Sequence, residues 1–77
     1  MSKVITVSTA IATIKDSRSP DFIEVYDKDH SSIGSPWYNS NFIALIEQMM
    51  KKHRRMQRNC YLSYDKERRV WVISILG

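Results

Sequence analysis

The sequence has little cysteine, little glycine and no long apolar run, and each shortage excludes a class of protein. Cys60 is the only cysteine among 77 residues, so no intrachain disulfide can form, whereas small domains of oxidising compartments usually carry several. The two glycines, Gly34 and Gly77, are too few for a Gly-rich phosphate-binding loop. No stretch approaches the roughly 20 apolar residues that span a bilayer. We therefore expect a cytoplasmic protein that does not enter a membrane.

The remaining composition is that of one folded domain. Hydrophobic residues make up 43% of the chain, which is too many for an intrinsically disordered protein. No repeat or linker divides the sequence, so residues 1–77 are interpreted as a single domain. A domain of this size buries only about 60% of its unfolded surface, which leaves a thin margin of stability.

Charge is distributed unevenly along the chain. Residues 1–47 carry four basic and six acidic side chains, a net charge of −2, whereas residues 48–77 carry eight basic and two acidic ones, a net charge of +6. Such asymmetry says more about binding partners than about the fold.

The second half of the chain gives the clearest structural signals. Spacings of three and four between apolar residues predict a helix over residues 40–58, with Asn39 or Ser40 as its N-terminal cap and Asn59 as the left-handed residue at its end. Residues 60–64 and 69–76 are rich in aromatic and β-branched side chains and are separated by a polar turn, which predicts a β-hairpin. The apolar stripe of the helix comprises Phe42, Leu45, Ile46, Met49, Met50 and Met56, with His53 on the same side.

The first half is more ambiguous. Residues 3–7 and 22–26 read as strands, and residues 27–37 as a polar loop. Residues 9–15 either extend the first strand or form a short helix capped by Ser8 or Thr9, and their β-branched content favours the strand. The predicted order is therefore β-β-α-β-β, an α+β fold with an antiparallel-rich sheet and one long helix packed on one face.

The last strand carries a further implication. Six of the seven residues from Val70 to Leu76 are apolar, and a run that does not alternate is typical of a strand covered on both faces. One helix covers one face only, so the second face needs an N-terminal segment, a second copy or a partner. If this strand lies at a sheet edge, it could also pair with another copy in a homodimer.

Basic residues from the helix end and the hairpin turn form the candidate binding surface. If the hairpin folds back beside the helix end, the two groups share one end of the domain and attract an acidic protein surface or nucleic acid. Trp37, Tyr38 and Tyr61 are candidate aromatic anchors. The same cluster is also typical of a solvated helix end without a partner. The basic candidates are Lys51, Lys52, Arg54, Arg55, Arg58, Lys66, Arg68 and Arg69.

Other chemistry has weaker signals. A winged-helix protein would need a second helix just before the recognition helix, where residues 22–38 read as strand and loop. His30, His53 and Cys60 lack the paired spacing of a zinc site, so no metal or cofactor is expected. The only nucleophile–base pair worth naming is Cys60 with His53, about 10 Å apart along a helix. We therefore predict a protein that is not an enzyme.

The sequence favours a non-enzymatic regulatory protein that docks on a larger macromolecule, most simply another protein, and blocks or modifies its action. Small inhibitors of host machinery encoded by phages or mobile elements have this size and economy. A small basic nucleic-acid-binding module that uses the same residues is the alternative.

Overall fold

The computed structural model describes residues 4–17, 21–27, 38–39 and 43–76. These residues form two helices and five strands, and one strand, β3, has only two residues. The elements are β1 (Val4–Thr6), α1 (Val7–Ser17), β2 (Phe22–Asp27), β3 (Tyr38–Asn39), α2 (Ile43–Lys52), β4 (Asn59–Asp65) and β5 (Val70–Ile75).

The strands form one mixed sheet in the order β1-β4-β5-β2-β3. Three strand pairs are antiparallel and the pair β2–β5 is parallel. The α+β class and the C-terminal hairpin are confirmed. The predicted order β-β-α-β-β is wrong, because a helix follows β1 directly.

That helix, α1, includes the residues expected to extend the first strand. Its buried side chains, Val7, Ala10, Ile11 and Ile14, recur at helical spacing and face the core. The predicted caps Ser8 and Thr9 lie inside the helix. The N–H of Thr9 donates instead to Thr6 Oγ1 at 3.2 Å, so Thr6 is the N-cap. Burial of the stripe outweighs the β-branched preference for a strand.

Helix α2 is shorter than predicted. It ends at Lys52, and Asn59 begins β4 instead of capping the helix. Ile46 and Met50 are fully buried, as expected for members of the apolar stripe. Leu45 and His53, which the spacing assigned to the apolar stripe, are exposed.

Both helices pack on the same face of the sheet. The register places Ile23, Val25, Leu62, Ile73 and Ile75 on that face, since residues opposite each other across paired strands point to the same side. These side chains form the hydrophobic core with the buried residues of α1 and α2. The N-terminal segment therefore adds cover to the face that α2 already covers, not to the second face.

Strand β5 lies inside the sheet, between β4 and β2. The prediction that it could be an edge strand is wrong, and the homodimer proposed through that edge loses its structural basis. Its apolar sequence follows from this central position. Val70 is buried on one face of the sheet, and Ile73 and Ile75 are buried on the other.

Candidate functional site

Helix α2 ends in a motif that places residue 54 in the left-handed conformation. The Arg54 N–H donates to the carbonyl oxygen of Lys51 at 3.1 Å, and the Arg55 N–H donates to that of Met50 at 2.7 Å. These two bonds define a Schellman motif, whose left-handed position is usually glycine. Here it is Arg54, with a φ of 57°. Glycine or asparagine is the usual sequence signal of this motif. Because arginine occupies the position here, the predicted helix end at residue 58 is too late.

The next residue, Arg55, ties the helix end to the sheet. Its Nε lies 2.6 Å from Oδ2 of Asp27, the last residue of β2, and its Nη1 donates to the carbonyl oxygen of His53 at 3.0 Å. The Asp27 side chain is 1% exposed and that of Arg55 is 12% exposed. Buried ion pairs are screened far less than exposed ones. Arg55, a predicted partner contact, therefore faces Asp27 and holds the turn in place.

The other basic side chains of this turn face the solvent. We call Lys51, Lys52, His53, Arg54 and Arg58 the helix-end cluster. Its first four members are exposed and Arg58 is half-buried. Among the described residues, its lysines and arginines form no ion pair. The helix dipole favours positive charge at this end, so the cluster is a cationic surface on a fixed backbone.

The start of α1 packs against the same turn. The N–H of Val7 donates to the carbonyl oxygen of Arg58 at 2.9 Å, and the N–H of Ser8 donates to that of Met56 at 3.0 Å. These bonds satisfy N–H groups that a helix N-terminus would otherwise present to an anion. They also hold segment 56–58 in place. The groups that this end of the molecule presents to the solvent are therefore cationic side chains and not the N–H groups of Val7 and Ser8.

The hairpin cations lie at the opposite end of β4. This strand starts at Asn59, next to the helix-end cluster, and ends at Asp65, next to the loop that carries Lys66, Arg68 and Arg69. Its seven residues separate the two groups by about 20 Å at roughly 3.3 Å per residue. The expectation that both groups share one end of the domain is therefore wrong.

Within the hairpin loop, Arg68 is engaged by carboxylates. Its Nε lies 2.8 Å from Asp65 Oδ2, and its Nη2 lies 3.0 Å from Glu24 Oε1. The side-chain hydrogen bond from Arg68 is the main cause that lowers the pKa of Asp65. Lys66 and Arg69 are exposed and have no ion-pair partner in the described part of the chain. Only two of the three hairpin cations therefore resemble those of the helix end.

The sheet face opposite the helices is mixed in character. Glu24 is 4% exposed, and its Oε2 accepts a hydrogen bond of 2.7 Å from the Tyr26 hydroxyl. This bond is the largest cause that raises the pKa of Tyr26. Phe22 and Tyr61 are exposed on the same face, so the candidate anchor Tyr61 points away from the core.

The other two candidate anchors are Trp37 and Tyr38, just before β3 and at its start. The backbone of Tyr38, in β3, pairs with that of Ile23, in β2. Trp37 lies outside the described residues, as does the predicted start of α2 at residues 40–42. The role of Trp37 and Tyr38 as anchors remains a prediction.

The groups considered for catalysis lie in unlike environments. Cys60 is fully buried in the core, and burial raises the pKa of its thiol to about 11, whereas a nucleophilic cysteine needs a lowered pKa. His53 is exposed, and His30 is outside the described residues. Among the residues described, no three His, Cys, Asp or Glu side chains are grouped as metal ligands, and neither helix is long and apolar enough to cross a membrane.

A shallow concavity that the sequence did not suggest lies on α2, just before the helix-end cluster. It has a volume of about 270 Å³ and is lined by Leu45, Gln48, Met49 and Lys52 among the described residues. Leu45 is 51% exposed. The spacing of apolar residues predicts that Leu45 is part of the buried stripe. An exposed leucine at the edge of such a stripe has the same spacing as a buried one, so the sequence does not distinguish them.

Comparison with protein-family models, with curated proteins and with solved structures gave no match. The site is therefore interpreted from its own geometry. That geometry combines a fixed cationic turn with an apolar concavity on the preceding turns of the same helix.

Proposed function

We propose that this chain is a non-enzymatic regulatory protein that docks through its helix-end cluster on an acidic surface of another protein. The observation that carries the proposal is the arrangement of residues 51–58. Arg55 and Asp27 neutralise each other in the interior, while the remaining cations face the solvent without an internal carboxylate in the described residues. A charged surface of this kind accelerates encounter and selects partners of opposite charge.

A protein partner is favoured over nucleic acid by the distribution of charge. A phosphate backbone is best bound by cations that follow it along a groove or stripe. The two exposed basic groups are instead separated by the length of β4, and the helix-end cluster adjoins an apolar concavity. The combination of an apolar contact and a charged rim is typical of protein interfaces.

Docking would block or modify the action of the partner, in the manner of small inhibitors encoded by phages or mobile elements. Size and economy support this part of the proposal. The single buried thiol of Cys60 suits a reducing compartment, and we place the action in the cytoplasm.

The proposal is tested by affinity capture from a nuclease-treated lysate of the native cell. The wild-type chain is compared with Lys52→Gln/Arg54→Gly, which removes two charges from the helix-end cluster. The matched control is Lys66→Gln/Arg69→Gly, because Arg69 also has a positive φ, of 55°, so both variants replace one left-handed arginine with glycine.

The proposal predicts a protein that the wild type and the hairpin control capture and the helix-end variant does not. Equal capture by all three variants would contradict it. If nuclease treatment removes all capture, the nucleic-acid alternative replaces it.

A further inference from the structure

We propose that the concavity on α2 receives one apolar side chain from an acidic segment of the partner, so that anchor and charge are recognised side by side. This inference rests on the proposed function and names the chemistry of the partner. We call the concavity and the helix-end cluster together the anchor surface. Its first part is lined by Leu45, Gln48, Met49 and Lys52.

The size of the concavity indicates what it accepts. Its volume of about 270 Å³ is below the roughly 300–1,000 Å³ of small-molecule sites, so it suits a single side chain better than a cofactor. Leu45 and Met49 provide an apolar lining, and the flexible thioether of Met49 can adapt to side chains of different shape. Apolar or aromatic anchors that fill such depressions contribute most of the energy of many interfaces.

The charge around the concavity indicates what flanks that side chain. Lys52 both lines the concavity and belongs to the helix-end cluster. Seven residues of helix separate it from Leu45, which is about 10 Å at 1.5 Å per residue. The nearby carboxylate of Glu47 is engaged by Lys15 Nζ, at 3.3 Å from both oxygens. A partner segment with Asp or Glu about three residues from its anchor, if extended, would meet these cations.

The same charge argues against a second copy of this chain as the occupant. In a two-fold symmetric contact the same surface patch meets itself. Both copies would then bring a helix-end cluster into one interface, and these like charges oppose association. The described cluster contains no carboxylate to relieve this repulsion.

The test uses short synthetic peptides of known composition and fluorescence anisotropy with the full chain. One peptide has a central Leu flanked by Glu. A second replaces that Leu with Ala, and a third replaces each Glu with Gln. Leu45→Gln replaces one of the two apolar side chains that line the concavity, and Val4→Gln is the matched control, because Val4 is 47% exposed and Leu45 51% exposed. Circular dichroism verifies that each variant is folded.

We expect the Leu/Glu peptide to bind the wild type and the Val4→Gln control at least about tenfold more tightly than either altered peptide. Leu45→Gln should remove the preference for Leu over Ala. Lys52→Gln/Arg54→Gly should remove the preference for Glu over Gln. This pattern would support both the anchor surface and the proposed function.

Two results would overturn the inference in distinguishable ways. If Glu is preferred over Gln but Leu45→Gln changes nothing, the apolar anchor is refuted while the cationic docking surface stands. If the wild type does not distinguish Glu from Gln, the charge recognition that underlies both proposals is refuted.

Discussion

The ion pair between Asp27 and Arg55 should be worth far more than a surface salt bridge, although the two residues lie 28 positions apart in sequence. This side-chain contact ties the turn after α2 to the end of β2. Asp27→Asn keeps the shape of the side chain but removes the negative charge that faces Nε of Arg55, whose side chain is 12% exposed. Arg55→Met keeps most of the aliphatic volume and leaves the carboxylate of Asp27 buried.

The magnitude follows from burial. Removing one member of a buried ion pair costs up to about 3–5 kcal/mol, because the other charge loses this partner while it stays largely desolvated. Replacing both members leaves one neutral polar group, which costs about 1–3 kcal/mol. The double variant Asp27→Asn/Arg55→Met should therefore be more stable than either single variant. A chain of 77 residues has a total stability of about 4–12 kcal/mol, so each single variant should lose a large part of it.

Urea denaturation of the four proteins, followed by circular dichroism, measures this coupling. We expect the cost of the double variant to fall short of the sum of the single costs by about 1–3 kcal/mol. Costs that add to within about 0.5 kcal/mol would refute the reasoning and would mean that the turn is held by other contacts.

Three further predictions concern single side chains. Arg54→Gly should raise the free energy of unfolding by about 0.5–1 kcal/mol. The left-handed conformation costs a non-glycine residue about 1–2 kcal/mol, which exceeds the cost of the added unfolded-state entropy of glycine. Urea denaturation measures the change, and a loss of stability would contradict the Schellman assignment. Cys60 should react with a thiol reagent only at the rate of unfolding, and rapid labelling of the native protein at neutral pH would contradict this. Burial raises the pKa of its thiol to about 11. The contribution of the buried thiol to stability is therefore present below the ordinary pKa of 9.0 and is lost as pH rises toward 11. The hydroxyl of Tyr64 donates to Asp21 Oδ2, and this bond is the main cause that raises the pKa of Tyr64. A spectrophotometric titration should therefore show late-ionising phenols from Tyr26 and Tyr64. Tyr64→Phe should remove one of them, and Asp21→Asn should shift it to lower pH.

The elements with a strong local pattern were predictable. The hairpin of β4 and β5 was confirmed within a residue or two, and the presence of α2 was clear from its apolar spacing. Helix α1 was the less favoured of two alternatives for residues 9–15, because Ile and Thr favour strands locally, whereas the burial of Ile11 and Ile14 that decides the structure depends on residues far along the chain. The parallel pairing of β2 with β5 has no local signal at all.

The candidate site was predictable in composition but not in arrangement. The cluster of cations could be read directly from residues 51–58. Which cations pair with a carboxylate of the same chain depends on Asp27, which contacts Arg55, and on Glu24 and Asp65, which contact Arg68 of the hairpin loop. These carboxylates approach only in the folded sheet. The separation of the hairpin loop from the helix end likewise follows from the direction of β4, which the polar turn alone does not reveal.

The most direct test of the anchor surface is a residue-by-residue map of binding. Backbone amide chemical shifts of the labelled chain are recorded while the Leu/Glu peptide is added. The account predicts shift changes confined to the concavity and the helix-end cluster, from Leu45 to Arg58. It would be contradicted if the largest changes fell on the hairpin loop around Lys66 and Arg69, or on Phe22 and Tyr61 of the opposite sheet face.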